Sequence, residues 1–335
     1  MKSSYFDLLS RATGQGIIAG EVAEVLRQLY QNYLDATASN GVSREMADEL
    51  MTQFLEQFLA LLQNPPQFGL FHRRVVAPFD YTTFALAFTR ALVKREQSHL
   101  LGEGSLRQMM GQLGARHNVI LFANHQVELD TQLLQLMLTP YCADLAKEMV
   151  FVAGHRVTSD PMAVPFSLGT NLICVYSKRH IDAVPELRLQ RTEHNVQSMQ
   201  RLLELLQEGG FWLYVAPSGG RDRPNAQGVV EVAPFDAKSI EMFRMMAERA
   251  GVPTHYYPLA LDTYELLPPP DQVVKVLGEM RVMRTTGVGV AFGEELSMEP
   301  EADWKGLDRA EIRERRAAHF EQCVCGLYQQ LIALH

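Results

Sequence analysis

The chain has 335 residues, of which 47% are hydrophobic and 21% charged, a composition typical of a globular protein with one large core and a smaller unit. The formal net charge of −8 argues against nucleic-acid binding as a general role. No apolar run approaches the roughly 20 residues of a transmembrane helix, so at most peripheral membrane contact is expected. The start of the sequence lacks the regions of a signal peptide, which predicts a bacterial cytoplasm or a plastid stroma and favours the former.

The first part of the chain, residues 1–66, is predicted to be a small all-helical domain. Apolar residues recur at helical spacing over 21–39 and again over 46–62, so each segment is predicted to be an amphipathic helix. Ser43 is placed to cap the second of these helices. Asn64 is followed by two prolines, which break the helical pattern and set the predicted domain boundary.

Residues 67–335 alternate apolar runs with helical patterns, which predicts an α/β domain with a mixed sheet flanked by helices. The predicted strands cover residues 119–123, 149–153, 172–176, 211–216, 256–261, 273–277 and 288–292. The predicted helices cover residues 81–95, 106–113, 189–208, 239–250 and 309–334. In open α/β sheets ligands bind at the carboxyl ends of the strands, so the polar residues that follow each strand are the candidates for a site.

The strand at 119–123 is followed by a turn that carries His125 and Asp130. On one continuous helix these two residues would lie roughly 140° apart and could not meet. The chain must therefore turn first, with a helix that starts near Asp130, a good N-cap residue type. An imidazole held by a carboxylate offers Nε2 as a general base. The turn has no Ser or Cys nucleophile, which predicts direct transfer to a substrate alcohol.

The same His-x4-Asp spacing occurs a second time, at His155 and Asp160 after the strand at 149–153. There Pro161 follows the aspartate directly, so no helix can begin in the same way. Two such pairs in one chain show that the spacing by itself does not distinguish a catalytic pair from an incidental one.

Two further strand ends carry cations. The strand at 211–216 is followed by a loop with Ser218, Gly219, Gly220, Arg221 and Arg223. Its glycines would let the backbone approach a ligand, and its two arginines would point the same way in an extended segment and suit a phosphate dianion. The alternative is a solvated turn in which Asp222 pairs with one arginine. The strand at 172–176 is followed by Lys178, Arg179 and His180.

Taken separately, the basic run at 178–180 is no more than a charged loop. Combined with the histidine and aspartate at 125 and 130 and the arginine loop, it predicts a general base beside an anion-binding cradle on one sheet edge. Four cysteines without ligand or disulfide spacing predict reduced thiols and no metal site.

Long blocks of this sequence closely resemble the soluble, plastid-type glycerol-3-phosphate acyltransferases. The most specific blocks are Asn124-His125-Gln126 with Asp130, and Ala216-Pro217-Ser218-Gly219-Gly220-Arg221-Asp222-Arg223-Pro224. The likeness also covers residues 29–33, 151–154, 171–178, 233–237, 258–261 and 268–270. It therefore extends over nearly the whole chain.

The resemblance implies a small helical domain, a larger α/β acyltransferase domain and transfer of a fatty acyl group from acyl-carrier protein or coenzyme A to the sn-1 hydroxyl of glycerol 3-phosphate, without a cofactor or metal. It implies that His125 and Asp130 are catalytic and that the phosphate is bound by Arg179, His180, Arg221 and Arg223. Lys178, Ser218, Gly219 and Gly220 are secondary candidates. The family usually has Asp at position 155, so His155 is not expected to be a second base. It usually has Lys at position 179, where a guanidinium would rearrange the phosphate contact.

Two other functions are compatible with parts of the sequence. Lysophosphatidate acyltransferases use the same pair of a catalytic His and Asp. They usually have Glu-Gly-Thr-Arg where this chain has Pro217-Ser218-Gly219-Gly220-Arg221. A non-catalytic protein that binds lipid or acyl-carrier protein would not need His125 and Asp130. An acidic carrier would need a basic surface. Two groups of arginines are candidates, and both are weak because acidic residues lie among or beside them. They are Arg309, Arg313, Arg315 and Arg316 on the last helix, and Arg188, Arg191 and Arg201.

Overall fold

The computed structural model describes residues 4–269, 281–304 and 306–334, apart from the side chains of Lys178, Arg179 and Asp303. In this part of the chain the helices are α1 (Tyr5–Gly14), α2 (Gly20–Ala38), α3 (Arg44–Gln63), α4 (Tyr81–Leu92), α5 (Glu103–Gly114), α6 (Asp130–Glu148), α7 (His155–Ser159), α8 (Val164–Ser167), α9 (Lys178–Asp182), α10 (Arg188–Glu208), α11 (Ala237–Ala250) and α12 (Arg309–Ile332). The strands are β1 (Phe71–His72), β2 (His99–Leu101), β3 (Asn118–Ala123), β4 (Val150–Gly154), β5 (Asn171–Val175), β6 (Trp212–Val215), β7 (Arg223–Pro224), β8 (Val230–Glu231), β9 (Thr254–Asp262) and β10 (Gly289–Phe292).

The main sheet has eight strands in the order β1-β5-β4-β6-β3-β9-β10-β2. Five neighbours, β5, β4, β6, β3 and β9, run parallel, while β10 is antiparallel to β9 and β1 to β5. The predicted mixed sheet flanked by helices is therefore confirmed. Because β3 lies between the parallel strands β6 and β9, the turn that follows it opens inside the carboxyl edge rather than at its margin.

Side chains of β3 alternate between two apolar layers, as the pleat of a strand requires. Ile120 and Phe122 pack with α10, α11 and α12 on one face, whereas Val119 and Leu121 pack with α5 and α6 on the other. All six residues of β3 are buried. This double cover explains why the strand appears in the sequence as a continuous apolar run.

The N-terminal helices pack against the turn that follows β3. Ser43 caps α3 by accepting a hydrogen bond from the backbone N–H of Met46, as predicted. The apolar faces of α1, α2 and α3 join α4, Val127 and Leu129 in one buried cluster. Asn32 on α2 also brackets the backbone of Met283 with two hydrogen bonds of 2.6 and 3.1 Å. The helical region thus supports the site from one side, and the division into 1–66 and 67–335 stays a prediction.

Most of the elements follow the predicted ranges. Six of the seven predicted strands occur within two residues of the predicted bounds, and the seventh, at 273–277, lies outside the described residues. The helix predicted from the apolar residues after Asp130 runs on to Glu148, with Pro140 inside it and a non-helical residue at Cys142. The short strands β1, β2, β7 and β8 were not predicted, because two or three residues show no periodicity.

Membrane spans were also sought in the described part of the chain. None of its helices combines the length and the hydropathy that crossing a bilayer requires.

Candidate active site

The turn after β3 brings His125 and Asp130 together. Asp130 Oδ2 lies 2.8 Å from His125 Nδ1, and α6 begins at Asp130, so the chain turns before the helix as the spacing requires. One detail of the prediction is wrong: the N-cap residue is Leu129, and Asp130 is the first residue of the helix. Its carboxylate instead accepts hydrogen bonds from the backbone N–H groups of Gln126 at 2.7 Å and Val127 at 3.2 Å, and so closes the turn.

Asp130 is buried and held from both sides. Its second oxygen accepts a hydrogen bond of 2.6 Å from the hydroxyl of Thr263, which follows β9. Donors on both oxygens fix the carboxylate and compensate its burial. The imidazole of His125 keeps about a third of its surface open, at 32% exposure. Thr263 was missed by the sequence analysis, since it lies 133 residues from its partner.

A network of buried amides ties the arginine loop to the turn. Asn124 Nδ2 and Gln126 Nε2 donate to the carboxylate of Asp222 at 2.8 and 3.2 Å. The backbone N–H of Asp222 in turn donates to the carbonyl of His125 at 2.7 Å. Asp222 is fully buried, and burial raises its pKa even though these hydrogen bonds lower it. The alternative of an arginine-paired Asp222 in a solvated turn therefore does not describe this loop.

Arg221 leaves this loop towards Glu128, three residues after His125. Arg221 Nη2 lies 3.4 Å from Glu128 Oε1, and both side chains are about 14% exposed or less. Arg281 binds the other side of the same carboxylate at 2.7 Å and reaches Asp160 at 2.6 Å. Burial raises the pKa of Glu128, but Arg281, Arg221 and Arg156 outweigh it and hold that pKa below its usual value. The site is a row of guanidinium groups bridged by carboxylates.

Arg223 occupies a different environment from Arg221. Its guanidinium donates to the carbonyl of Pro269 at 3.2 Å, and the residue is exposed. The two arginines flank the buried Asp222, and their convergence on one phosphate stays a prediction. Arg221 loses basicity chiefly through burial, and Arg223 is near enough to lower its pKa further. Arg221 is thus the inner cation of the pair and Arg223 the outer one.

The glycine loop forms a turn in which the N–H of Gly219 donates to the carbonyl of Ala216 at 3.1 Å. Gly219 has φ of +63°, in the left-handed region that favours glycine. Ser218 donates its hydroxyl to the carbonyl of Gly220 at 2.9 Å, which closes the loop on itself. A Cβ added at Gly220 would meet nothing within 4 Å, so this glycine is not required by packing within the chain.

The basic run at 178–180 begins α9 at the carboxyl end of β5. The side chains of Lys178 and Arg179 lie outside the part that the structure describes. His180 is held on two sides: Nδ1 lies 2.8 Å from the hydroxyl of Ser177, and its carbonyl accepts a hydrogen bond from Arg191. His180 is therefore placed at the same sheet edge as Arg221.

The second His-x4-Asp motif does not form a pair. Asp160 binds Arg281 and the backbone N–H of Met162, while the ring of His155 lies against Tyr176 with 4.6 Å between ring centroids. Helix α7 starts at His155 itself rather than at Asp160. The missing turn between the two residues explains why equal spacing has a different outcome at the two strand ends.

The proposed carrier-docking surfaces are less basic than the sequence suggests. Arg316 points into the protein, where it donates to the carbonyl of Met298 at 2.9 Å and to Glu241 at 2.6 Å. At 5% exposure it is not available to a partner. Of the second set, Arg201 is paired with Glu204 at 2.8 Å.

A metal centre was looked for in the same way. Within residues 4–269, 281–304 and 306–334, no three His, Cys, Asp or Glu side chains are grouped so that they could hold a metal ion.

Known proteins are similar to the part of the chain that forms this site. Residues 102–262, from the start of α5 to the end of β9, match the acyltransferase family model. The chain is 36% identical over 299 residues to the chloroplastic glycerol-3-phosphate acyltransferase of Arabidopsis thaliana, covering 87% of this chain and 65% of that protein. It is 37% identical over 304 residues to the one of Spinacia oleracea, covering 89% and 63%.

A third relative, the chloroplastic glycerol-3-phosphate acyltransferase of Pisum sativum, is 36% identical over 285 residues, or 84% of this chain and 62% of that protein. The chain thus spans somewhat less than two thirds of the length of these relatives. The matched region contains the turn after β3, the strand ends of β4, β5 and β6, and the arginine loop. This chain is therefore a homologue of the chloroplastic glycerol-3-phosphate acyltransferases, and its residues 102–262 match the acyltransferase family model.

Proposed function

We propose that the protein is a glycerol-3-phosphate 1-O-acyltransferase, which transfers a fatty acyl group from a thioester donor to the sn-1 hydroxyl of glycerol 3-phosphate to give lysophosphatidate. The observation that carries the proposal is the contact of His125 with Asp130 at 2.8 Å, in a turn whose Glu128 holds Arg221. A base and a cation on one turn suit an acceptor that has both a hydroxyl and a phosphate.

In the proposed reaction, Nε2 of His125 takes the proton of the C1 hydroxyl while the oxygen attacks the thioester carbonyl. Asp130 holds the Nδ1 proton, which fixes the tautomer and stabilises the imidazolium. The tetrahedral intermediate then collapses, the carbon–sulfur bond breaks and the imidazolium returns the proton to the leaving thiolate. Because the turn contains no Ser or Cys, we infer direct transfer without an acyl-enzyme.

The phosphate end of the acceptor is assigned to Arg179, His180, Arg221 and Arg223. Arg221 is the strongest candidate, since a buried guanidinium binds an anion in a lower dielectric than an exposed one. Arg221 Nη2 lies 3.4 Å from Glu128 Oε1, a long contact that uses one of the five N–H donors of a guanidinium. Arg223, at the surface, would then close the outer side of the cradle.

The proposed acyl donor is acyl-carrier protein or acyl-coenzyme A, and the reaction needs no cofactor or metal. A general base that takes the proton of the attacking hydroxyl is sufficient for transfer from a thioester. The relatives are named as chloroplastic proteins, which favours the plastid stroma over the bacterial cytoplasm as the proposed compartment.

A lysophosphatidate acyltransferase is the second candidate, and a non-catalytic binder of acyl-carrier protein the third. One experiment separates all three. The purified protein is incubated with a radiolabelled fatty acyl group on acyl-carrier protein or coenzyme A, and with either glycerol 3-phosphate or lysophosphatidate. We expect label in sn-1 lysophosphatidate with glycerol 3-phosphate as the acceptor. Label only in phosphatidate would identify the second function, and carrier binding without any labelled lipid the third.

A further inference from the structure

A cluster of basic side chains surrounds Tyr176, the residue that follows β5. We call it the histidine cluster; it consists of His155, His180, Arg191 and His194 around this tyrosine. The ring centroids of His155 and His194 lie 4.6 and 5.2 Å from that of Tyr176, and Arg191 Cζ lies 5.4 Å from it. His155 and His180 are 6.3 Å apart, centroid to centroid. His155 thus lies beside a residue assigned to the phosphate.

The histidine cluster is held in a fixed arrangement by α10. Asn195 brackets the backbone of Tyr176, accepting from its N–H at 2.7 Å and donating to its carbonyl at 2.8 Å. His194 Nε2 lies 3.0 Å from the carbonyl of Cys174. Arg191 donates to the carbonyl of His180. Helix α10 is thus tied to the backbone at the end of β5 by His194 and Asn195, and to α9 by Arg191.

The ionisable groups that face His155 are bases, which are positive when protonated. They come from α9, as His180, and from α10, as Arg191 and His194. Burial lowers the pKa of His155 below its usual value, and these three neighbours lower it further. On its own helix, the next residue, Arg156, is close enough to Arg221 to lower the pKa of that guanidinium as well. An anion in the cradle would offset this repulsion.

We propose that His155 takes up a proton from solvent when the phosphate of glycerol 3-phosphate binds beside His180, so that acceptor affinity depends on pH through His155. The inference rests on the proposed function. A negative charge within about 4–6 Å raises the pKa of a histidine by roughly 1–3 units. When binding raises the pKa of a group, protonation of that group strengthens binding. This gain in affinity is complete at pH values below the pKa of the group in the unbound protein. That added affinity is lost as the pH rises through the bound-state pKa.

The test is calorimetric titration of the whole protein with glycerol 3-phosphate at pH 7, in two buffers of different ionisation enthalpy, which counts the protons taken up. We expect less proton uptake in His155→Asn than in wild type. The variant-to-wild-type ratio of Kd should be about tenfold at pH 6 and fall towards one at pH 8.5, because one unit of pKa shift is worth a factor of ten. The titration of the ligand's own phosphate cancels in this ratio.

His117→Asn is the matched control, since His117 lies at the amino end of β3 and contacts His255 instead. It should change neither proton uptake nor the ratio. His155→Lys keeps a charge across this pH range and should bind more tightly than wild type at pH 8.5. His155→Gln, with circular dichroism of each variant, guards against a folding defect in His155→Asn.

Two outcomes would overturn the inference. One is a Kd for His155→Asn that is weakened equally at every pH, which would indicate packing on Tyr176 only. The other is unchanged proton uptake. In either case a wild-type protein that binds glycerol 3-phosphate and transfers acyl groups would leave the proposed function standing. A wild-type protein that does neither would refute that function instead.

Discussion

Each end of the central strands carries a histidine bound to a carboxylate. At the carboxyl end of β3, His125 Nδ1 lies 2.8 Å from Asp130. At the amino end of the neighbouring β9, His255 Nδ1 lies even closer, 2.6 Å from Glu295. A short bond between an imidazole and a carboxylate is therefore not sufficient to identify a catalytic site in this protein.

The two pairs differ in what surrounds them. The second nitrogen of His255 is occupied, because it lies 3.0 Å from Nδ1 of His117, and Glu295 is further bound by Gln112 and Tyr257. This is a closed hydrogen-bond network that holds the amino ends of two strands together. The comparison teaches that the two pairs are distinguished by their surroundings: His125 is 32% exposed in a turn that holds guanidinium groups, whereas His255 is enclosed by further hydrogen bonds.

The largest effect should come from removing each imidazole in turn. His125→Ala should lower kcat for acyl transfer by about 10²- to 10⁴-fold, the usual contribution of a general base, while binding of glycerol 3-phosphate is largely kept. His255→Ala should leave kcat close to wild type and lower the melting temperature. Steady-state assays and thermal unfolding measure both. Full activity in His125→Ala would reverse the assignment of the two pairs.

The next effect should come from the groups that hold Asp130. Asp130→Asn should lower kcat by roughly 10²- to 10⁴-fold, because the amide favours the wrong tautomer of His125. Thr263→Val removes a single hydrogen bond to the charged carboxylate, worth about 1.5–3 kcal/mol, and should have a smaller effect on kcat. Glu295→Gln is the control at the other end of the sheet. An equal loss of kcat in Glu295→Gln and Asp130→Asn would contradict the comparison.

The smallest effect, and the one that separates the inner from the outer arginine, should appear in KM for glycerol 3-phosphate. Arg221→Ala should raise this KM by about 10- to 100-fold, since it removes a charge-assisted contact from a partly buried site. Arg223→Ala should raise it only about 2- to 5-fold, as expected for an exposed cation. Both should keep most of kcat. A larger rise in Arg223→Ala would mean that the phosphate binds at the outer rim.

Much of the fold was predictable because its signals are local. The apolar run of β3 predicted a strand covered on both faces, and the impossibility of a His125–Asp130 contact on one helix predicted the turn. Short edge strands such as β1 left no periodic signal. The end of α6 was missed because the apolar pattern after Asp130 ends near Leu138, although the helix continues to Glu148.

The candidate site was predictable in part. His125, Asp130 and Arg221 follow strands of a recognisable sheet, so their residue types and positions were informative. Thr263 and Arg281 were missed, because they lie 133 and 153 residues from their partners in the turn. Asp222 was considered only as a partner for arginine, since nothing local indicates that its carboxylate is buried under two amides.

The sequence by itself determined six of the strands, the polar residues that follow them, and that the chain must turn between His125 and Asp130. These features depend on periodicity and spacing within a few residues, which a linear pattern records. Only the tertiary structure decided which histidine beside a carboxylate is enclosed by further hydrogen bonds and which stays partly exposed, and which arginine lies inside. A hydrogen bond acts over about 3 Å, and elements far apart in the chain must meet within that range before its partners are defined.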